Sequence, residues 1–185
     1  MDQDAAEFIR LLCAAAGGIR PLYFQLPVAG REDPQYRERV YTYELYHQLR
    51  IRWSGRLEAY SLGGEVDKTG HPLIRGNDLD RAKPDFIVHV PGYMELNLAV
   101  VEVKAALPSA RDVTRDLAKL VAFCDPQRGH YTLGVYLVYG TRPGDVPELL
   151  TRCRAALDAL DTPTDQLQLL LHSRPSQEPV RQPWH

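Results

Sequence analysis

Three charged residues in the middle of the chain, Asp85, Glu102 and Lys104, have the types and spacing that suit metal-assisted hydrolysis. Asp85 opens one short apolar run, and Glu102 and Lys104 lie inside a second. Because side chains alternate faces along a strand, Glu102 and Lys104 share one face while Val101 and Val103 share the other. Burying a lone charge is costly, so we expect these charges to pair, bind a metal or line a cleft.

If the two runs pair as neighbouring strands, the carboxylates of Asp85 and Glu102 converge. Carboxylate oxygens suit Mg²⁺ or Mn²⁺, which retains most of its waters and takes one or two carboxylates plus substrate phosphate. The metal lowers the pKa of a bound water and stabilises charge on the phosphorus oxygens. Lys104 would position or deprotonate the attacking water, or hold negative charge in the transition state. The sequence leaves these lysine roles open.

The elements that must position these residues are read from apolar periodicity and from caps and turns. Helices are expected over residues 4–16, 34–50, 110–124 and 145–160. Strands are expected over residues 56–66, 85–90, 98–105, 131–139 and 166–171, with an irregular stretch over 67–83. This order predicts an α/β protein with a mixed central sheet flanked by helices.

The length of 185 residues predicts one domain. We place it over residues 1–172. Residues 173–185 hold three prolines and little apolar content, so we expect a disordered tail.

The motifs Pro84-Asp85 and Glu102-Val103-Lys104 resemble the signature of the PD-(D/E)xK nuclease superfamily. That superfamily has a restriction-endonuclease-like core in the order α-β-β-β-α-β, which residues 35–139 of this chain would supply. The resemblance implies that Asp85 and Glu102 are metal ligands, with the backbone carbonyl of Val103 as a further ligand. It also implies that Lys104 is the catalytic lysine.

The resemblance extends to the flanking helices. It implies that Glu44, on the helix before the sheet, is a ligand or orienter of a second metal ion. It further suggests Asp116 or Lys119 as a polar site residue on the helix after Lys104. Glu65, on the strand that would neighbour Asp85, is either an extra acid at the metal or the end of a strand before a solvated turn.

A basic stretch with an interleaved tryptophan follows the second helix, at Arg50, Arg52, Trp53 and Arg56. The combination suits contact with backbone phosphates and stacking on bases, and a solvated turn is an equally good interpretation. Arg75 and Arg81, in the irregular stretch, are weaker candidates for the same role.

The overall charge does not favour a dedicated nucleic-acid binder. There are 22 Lys and Arg against 24 Asp and Glu, a formal charge of −2. We therefore expect weak unaided binding to nucleic acid that falls as salt rises. Three scattered cysteines, the acidic first residues and the lack of a long apolar run predict a cytoplasmic protein with no membrane segment.

Two functions from different classes follow. The first is a Mg²⁺- or Mn²⁺-dependent nuclease acting on nucleic acid, with DNA favoured, in a defence, restriction or repair setting. Its partners would include a second copy of the chain or another subunit of a defence system. The alternative is a catalytically inactive module of the same fold that binds nucleic acid or a partner protein, which the near-neutral charge favours.

Overall fold

Six strands form one mixed sheet in the computed structural model, which describes residues 2–64, 79, 82–93, 95–161 and 163–184. The strands are Ser61–Gly64 (β1), Phe86–His89 (β2), Asn97–Ala105 (β3), Leu133–Tyr139 (β4), Leu167–His172 (β5) and Val180–Gln182 (β6). The α-helices are Gln3–Gly17 (α1), Pro21–Phe24 (α2), Glu38–Arg52 (α3), Ala110–Cys124 (α4) and Val146–Leu160 (α5). No helix in these ranges is long and apolar enough to cross a membrane.

The strands lie in the sheet in the order in which they occur along the chain. The pairs β1–β2, β2–β3 and β5–β6 are antiparallel, whereas β3–β4 and β4–β5 are parallel. Each parallel pair is joined by a helix, α4 or α5, as a parallel connection requires. The predicted α/β class with a mixed, helix-flanked sheet is confirmed.

Each face of the sheet has its own apolar core. On one face α1 and α3 pack against side chains such as Val101 and Val103 of β3. On the other face α4 and α5 pack against Val100 of β3 and Tyr136 of β4. Alternation along β3 therefore sends Glu102 toward the face covered by α4 and α5.

The second long helix, α3, begins at Glu38 and not at Pro34. The residues before it are held extended, because Leu26 and Gln35 exchange two backbone hydrogen bonds of 2.8 and 2.9 Å. The Tyr36 hydroxyl also donates to the Gly140 carbonyl at 3.2 Å. These tertiary contacts hold residues 34–37 outside the helix that the sequence predicts over residues 34–50.

The strand expected over residues 56–66 begins later than predicted. Gly55–Ala59 forms a 3₁₀ turn, and β1 covers only Ser61–Gly64. The helix expected over residues 110–124 has those bounds, and the Ser109 hydroxyl caps it by accepting from the Asp112 amide at 3.2 Å.

The expectation of a disordered tail over residues 173–185 is wrong. Residues Val180–Gln182 form β6 against β5, and Trp184 is 9% exposed. The indole Nε1 of Trp184 donates to the Leu167 carbonyl at 3.1 Å, and Arg154 donates to the Trp184 carbonyl at 2.9 Å. The free outer edge of β5 supplies backbone partners that the composition of the tail does not reveal.

Trp184→Ala should therefore lower the free energy of unfolding by about 3 kcal/mol, since a large aromatic side chain leaves a buried site. Urea denaturation followed by circular dichroism measures this difference. Val180→Ala, at a side chain that is 60% exposed, is the matched control and should change stability by less than about 0.5 kcal/mol. Equal stability of the two variants would contradict a docked tail.

Candidate active site

Asp85 and Glu102 come together at the end of the sheet where β2 begins. In the β2–β3 ladder Phe86 lies opposite Val101, so Asp85 and Glu102, one residue further along each strand, share a face. The Asp85 Oδ2 atom accepts a 2.7 Å hydrogen bond from the Val103 backbone amide. This bond holds the Asp85 carboxylate against β3, beside Glu102.

Two lysines lie at this end of the sheet, and each pairs with carboxylates from other elements. The Lys119 Nζ atom, on α4, lies 2.8 Å from the Glu102 Oε1 atom. The Lys104 Nζ atom lies 3.0 Å from Glu38 Oε1, in the first turn of α3, and 3.7 Å from Asp116 Oδ2 on α4. The cluster therefore joins β2, β3, α3 and α4 at one point.

Burial is uneven across the cluster. Glu102 is 2% and Asp116 is 1% exposed, whereas the side chain of Lys104 keeps 17% of its surface accessible. Asp85 is partly exposed. The site thus has a buried acidic floor, with Asp85 and Lys104 reaching the surface.

The ionisation of both strand carboxylates is disfavoured. Burial raises the pKa of Glu102 to about 8, and the Asp85 charge adds to the rise although Lys119 opposes it. Burial also raises the pKa of Asp85 to about 6, against the hydrogen bond from Val103 and the charge of Lys104. A nearby cation stabilises the charged form of such carboxylates.

Lys104 behaves in the opposite way. Burial alone would lower its pKa, but the carboxylates of Asp116, Glu38 and Asp85 outweigh burial and raise the pKa above its usual value. Lys104 is therefore a protonated cation at neutral pH, with its ammonium group oriented by two carboxylates.

The carboxylate pair fits a hard divalent cation. Asp85 and Glu102 provide oxygen donors from adjacent strands, and Mg²⁺ in phosphoryl chemistry is commonly held by one or two carboxylates with water and substrate oxygens. Within the described ranges no three His, Cys, Asp or Glu side chains form a ready metal cage. Val103, which donates its backbone amide to Asp85, is the backbone next to this pair.

Glu44 does not lie with this group. It is two residues, or about 200°, around α3 from Thr42, which lines a pocket with Asp85. The Glu44 carboxylate accepts a 2.7 Å hydrogen bond from Gln48, on the side of α3 that faces α1. The helix carboxylate at the site is Glu38, six residues or about 240° around α3 from Glu44, and its Oε1 atom lies 3.0 Å from Lys104 Nζ.

The predicted nucleic-acid contacts separate into two groups. Arg52 hydrogen-bonds to Gln48, the Trp53 indole donates to the Tyr60 carbonyl at 3.3 Å, and Arg56 pairs with Asp4 at 3.2 Å. These three side chains therefore already make contacts within the protein. Arg50 is exposed on α3.

Three predicted residues, Glu65, Arg75 and Arg81, lie outside the described residues. Two polar residues suggested on α4 do reach the cluster, since Asp116 lies near Lys104 and Lys119 contacts Glu102. Glu38 was missed. Glu38 lies three residues before Tyr41, which is the first buried residue of α3. This helical spacing could have indicated Glu38, but only once the helix is known to start there.

Comparisons with protein-family models, with curated proteins and with solved structures find no match to this chain.

Proposed function

We propose that the protein is a metal-dependent nuclease that hydrolyses phosphodiester bonds, with DNA as the favoured substrate. The observation that carries the proposal is the meeting of Asp85, Glu102 and Lys104 at adjacent strand ends, with Asp85 and Lys104 open to solvent. Two carboxylates and a fixed cation are the groups that hydrolysis of a phosphodiester needs.

Each residue has a distinct part in this proposal. Asp85 and Glu102 would hold Mg²⁺ or Mn²⁺, with the Val103 carbonyl as a further donor. The bound ion supplies Lewis acidity at the phosphate and acidifies a water. Lys104, protonated and held by Glu38 and Asp116, stabilises negative charge on the phosphate oxygens and does not act as the general base.

The element order supports the same proposal. The sequence α3, β1, β2, β3, α4, β4 is the order α-β-β-β-α-β of a restriction-endonuclease-like core. We extend the proposal to a defence, restriction or repair setting. A second copy of the chain or a partner subunit would be needed for cutting both strands, because one site performs one hydrolysis.

A second candidate is a non-catalytic module of this fold that binds nucleic acid or a protein. The observation that favours it is the contact between Lys119 and Glu102, which already places a positive charge on a proposed metal ligand. The Lys119 ammonium group thus offsets the charge of Glu102 without a metal.

Metal-dependent cleavage tests the first candidate. The protein is incubated with supercoiled plasmid and with single-stranded DNA in Mn²⁺, in Mg²⁺ and in EDTA. We expect cleavage only with metal, and its loss in Asp85→Asn, since that change removes a ligand charge. Asp158→Asn, at an exposed position on α5, is the matched control and should cleave normally.

Calorimetric titration with Mn²⁺ separates the two candidates. The nuclease proposal requires binding that Asp85→Asn weakens, together with cleavage. If Mn²⁺ does not bind and DNA stays intact in every tube, the proposal is rejected and the non-catalytic module remains.

A further inference from the structure

The outward side of α3 carries a basic and aromatic stripe. Arg39, Tyr43, His47 and Arg50 recur at helical spacing, so they share one face, and all four are exposed. We call these residues the α3 stripe. Tyr43 is 58% exposed, and Tyr43, His47 and Arg50 make no hydrogen bond or ion pair to another described residue. No acidic side chain belongs to the stripe.

A pocket of about 260 Å³ opens beside the stripe and reaches the candidate active site. It is lined by Thr42, Tyr43, Tyr46, Gly64, Asp85 and Phe86. Its volume equals that of roughly eight or nine water molecules at about 30 Å³ each, which suits a single planar ring system.

Aromatic rings form a fixed wall of this pocket. The Tyr46 ring stacks on Phe86 with centroids 6.1 Å apart and an interplanar angle of 23°. The Tyr46 hydroxyl donates to the Leu62 carbonyl at 3.3 Å, which holds the ring in place. Flat apolar surfaces of this kind favour a flat, polarisable ligand.

The hydroxyl group of Thr42 is a buried polar group that needs a hydrogen-bond partner. Thr42 is 4% exposed, and its Oγ1 atom has no hydrogen-bond partner among the described residues. Buried hydroxyl groups in folded proteins nearly always have a partner. The pocket therefore suits a ligand that combines a planar ring with polar edge atoms, which is the chemistry of a nucleobase.

We propose that this pocket binds an unpaired nucleobase, so that the substrate is single-stranded nucleic acid lying along the α3 stripe. The inference rests on the proposed function, because it names the substrate of that site. Tyr43 stacks on the base, Thr42 hydrogen-bonds its edge, and His47 and Arg50 contact phosphates further along the strand. A base inside a duplex is paired and stacked, so it does not fit without being flipped out.

Binding in EDTA tests the inference without cleavage. Fluorescence anisotropy is measured with a labelled single-stranded DNA, a single-stranded RNA and a duplex of the same sequence. We expect the protein to bind single strands more tightly than the duplex. Tyr43→Ala should weaken single-strand binding about tenfold, the equivalent of ~1.4 kcal/mol, and Tyr43→Phe should retain it.

Tyr93→Ala is the matched control, since Tyr93 is 60% exposed in the turn between β2 and β3, away from Asp85. Equal binding by Tyr43→Ala and Tyr93→Ala overturns the inference, as does a duplex that binds as tightly as the single strands. If the protein cleaves with metal but Tyr43→Ala binds single strands as tightly as the wild type, this inference alone is rejected. Tyr43-dependent binding without metal-dependent cleavage rejects the nuclease and keeps the pocket.

Discussion

Lys104→Met is expected to slow phosphodiester cleavage by about 10²- to 10³-fold, the usual cost of removing one group that stabilises transition-state charge. Methionine is unbranched and apolar and lacks only the terminal group of lysine, so the packing of the stem between α3 and α4 is preserved. Since Lys104 is not a metal ligand in the proposed site, Mn²⁺ affinity should not fall. Single-turnover cleavage of a labelled oligonucleotide and calorimetric Mn²⁺ titration measure the two quantities separately.

Glu38→Gln is the matched control for this prediction. It removes one of the two carboxylates that hold the Lys104 ammonium group but leaves the lysine itself in place. We therefore expect a smaller loss of rate than for Lys104→Met. Wild-type cleavage by Lys104→Met, or a parallel loss of Mn²⁺ binding, would contradict the role assigned to the lysine.

Glu102→Gln is expected to stabilise the metal-free protein at alkaline pH while removing Mn²⁺ binding. The pKa of Glu102 is raised by burial to about 8 in the folded protein, against 4.5 for the ordinary carboxyl. The folded state therefore binds more protons than the unfolded state between these values, and wild-type stability falls as the pH rises through them. The glutamine variant lacks this loss.

The size of the effect follows from the same shift. At about 1.4 kcal/mol per pKa unit, Glu102→Gln should exceed the wild type by roughly 3 to 5 kcal/mol at pH 9 and equal it near pH 4. Asp85, whose pKa is raised by burial to about 6, contributes the same trend at lower pH in both proteins. Urea denaturation at pH 4, 6, 7.5 and 9 in EDTA measures these differences.

Glu32→Gln, at an exposed residue, is the control and should follow the wild type at every pH. Saturating Mn²⁺ should stabilise the wild type and not Glu102→Gln, by mass action on the folded state. If Glu102→Gln is less stable than the wild type at pH 9, the ion pair with Lys119 outweighs the burial cost, and the floor of the site is structural.

Local pattern was enough to predict that Asp85, Glu102 and Lys104 come together in the fold. Glu102 and Lys104 share a face because alternation is a property of any strand, and Asp85 joins them because β2 and β3 are neighbours in the chain and pair as such. The bounds of α4 could also be predicted from local pattern, because Ser109 caps a helix whose apolar residues recur at helical spacing.

Features that depend on distant contacts were not predictable. The start of α3 is decided by the bridge between Leu26 and Gln35. The rotation of α3 about its own axis, which places Glu38 and not Glu44 at the site, is decided by its packing against the sheet. β6 has only three residues, and its pairing depends on β5 having an open edge. The contact between Lys119 and Glu102 depends on how α4 lies across β3, which no local pattern specifies.

The short β6 strand also has a consequence for the solubility of the chain. β5 reads Leu-Gln-Leu-Leu-Leu-His and is wholly buried, so its bare edge would template pairing with other chains. β6 covers that edge with only three residues, carries Arg181, and is followed by Pro183, which donates no backbone hydrogen bond. The last strand thus replaces an aggregation-prone edge with a short, charged one that ends in a residue unable to extend the ladder.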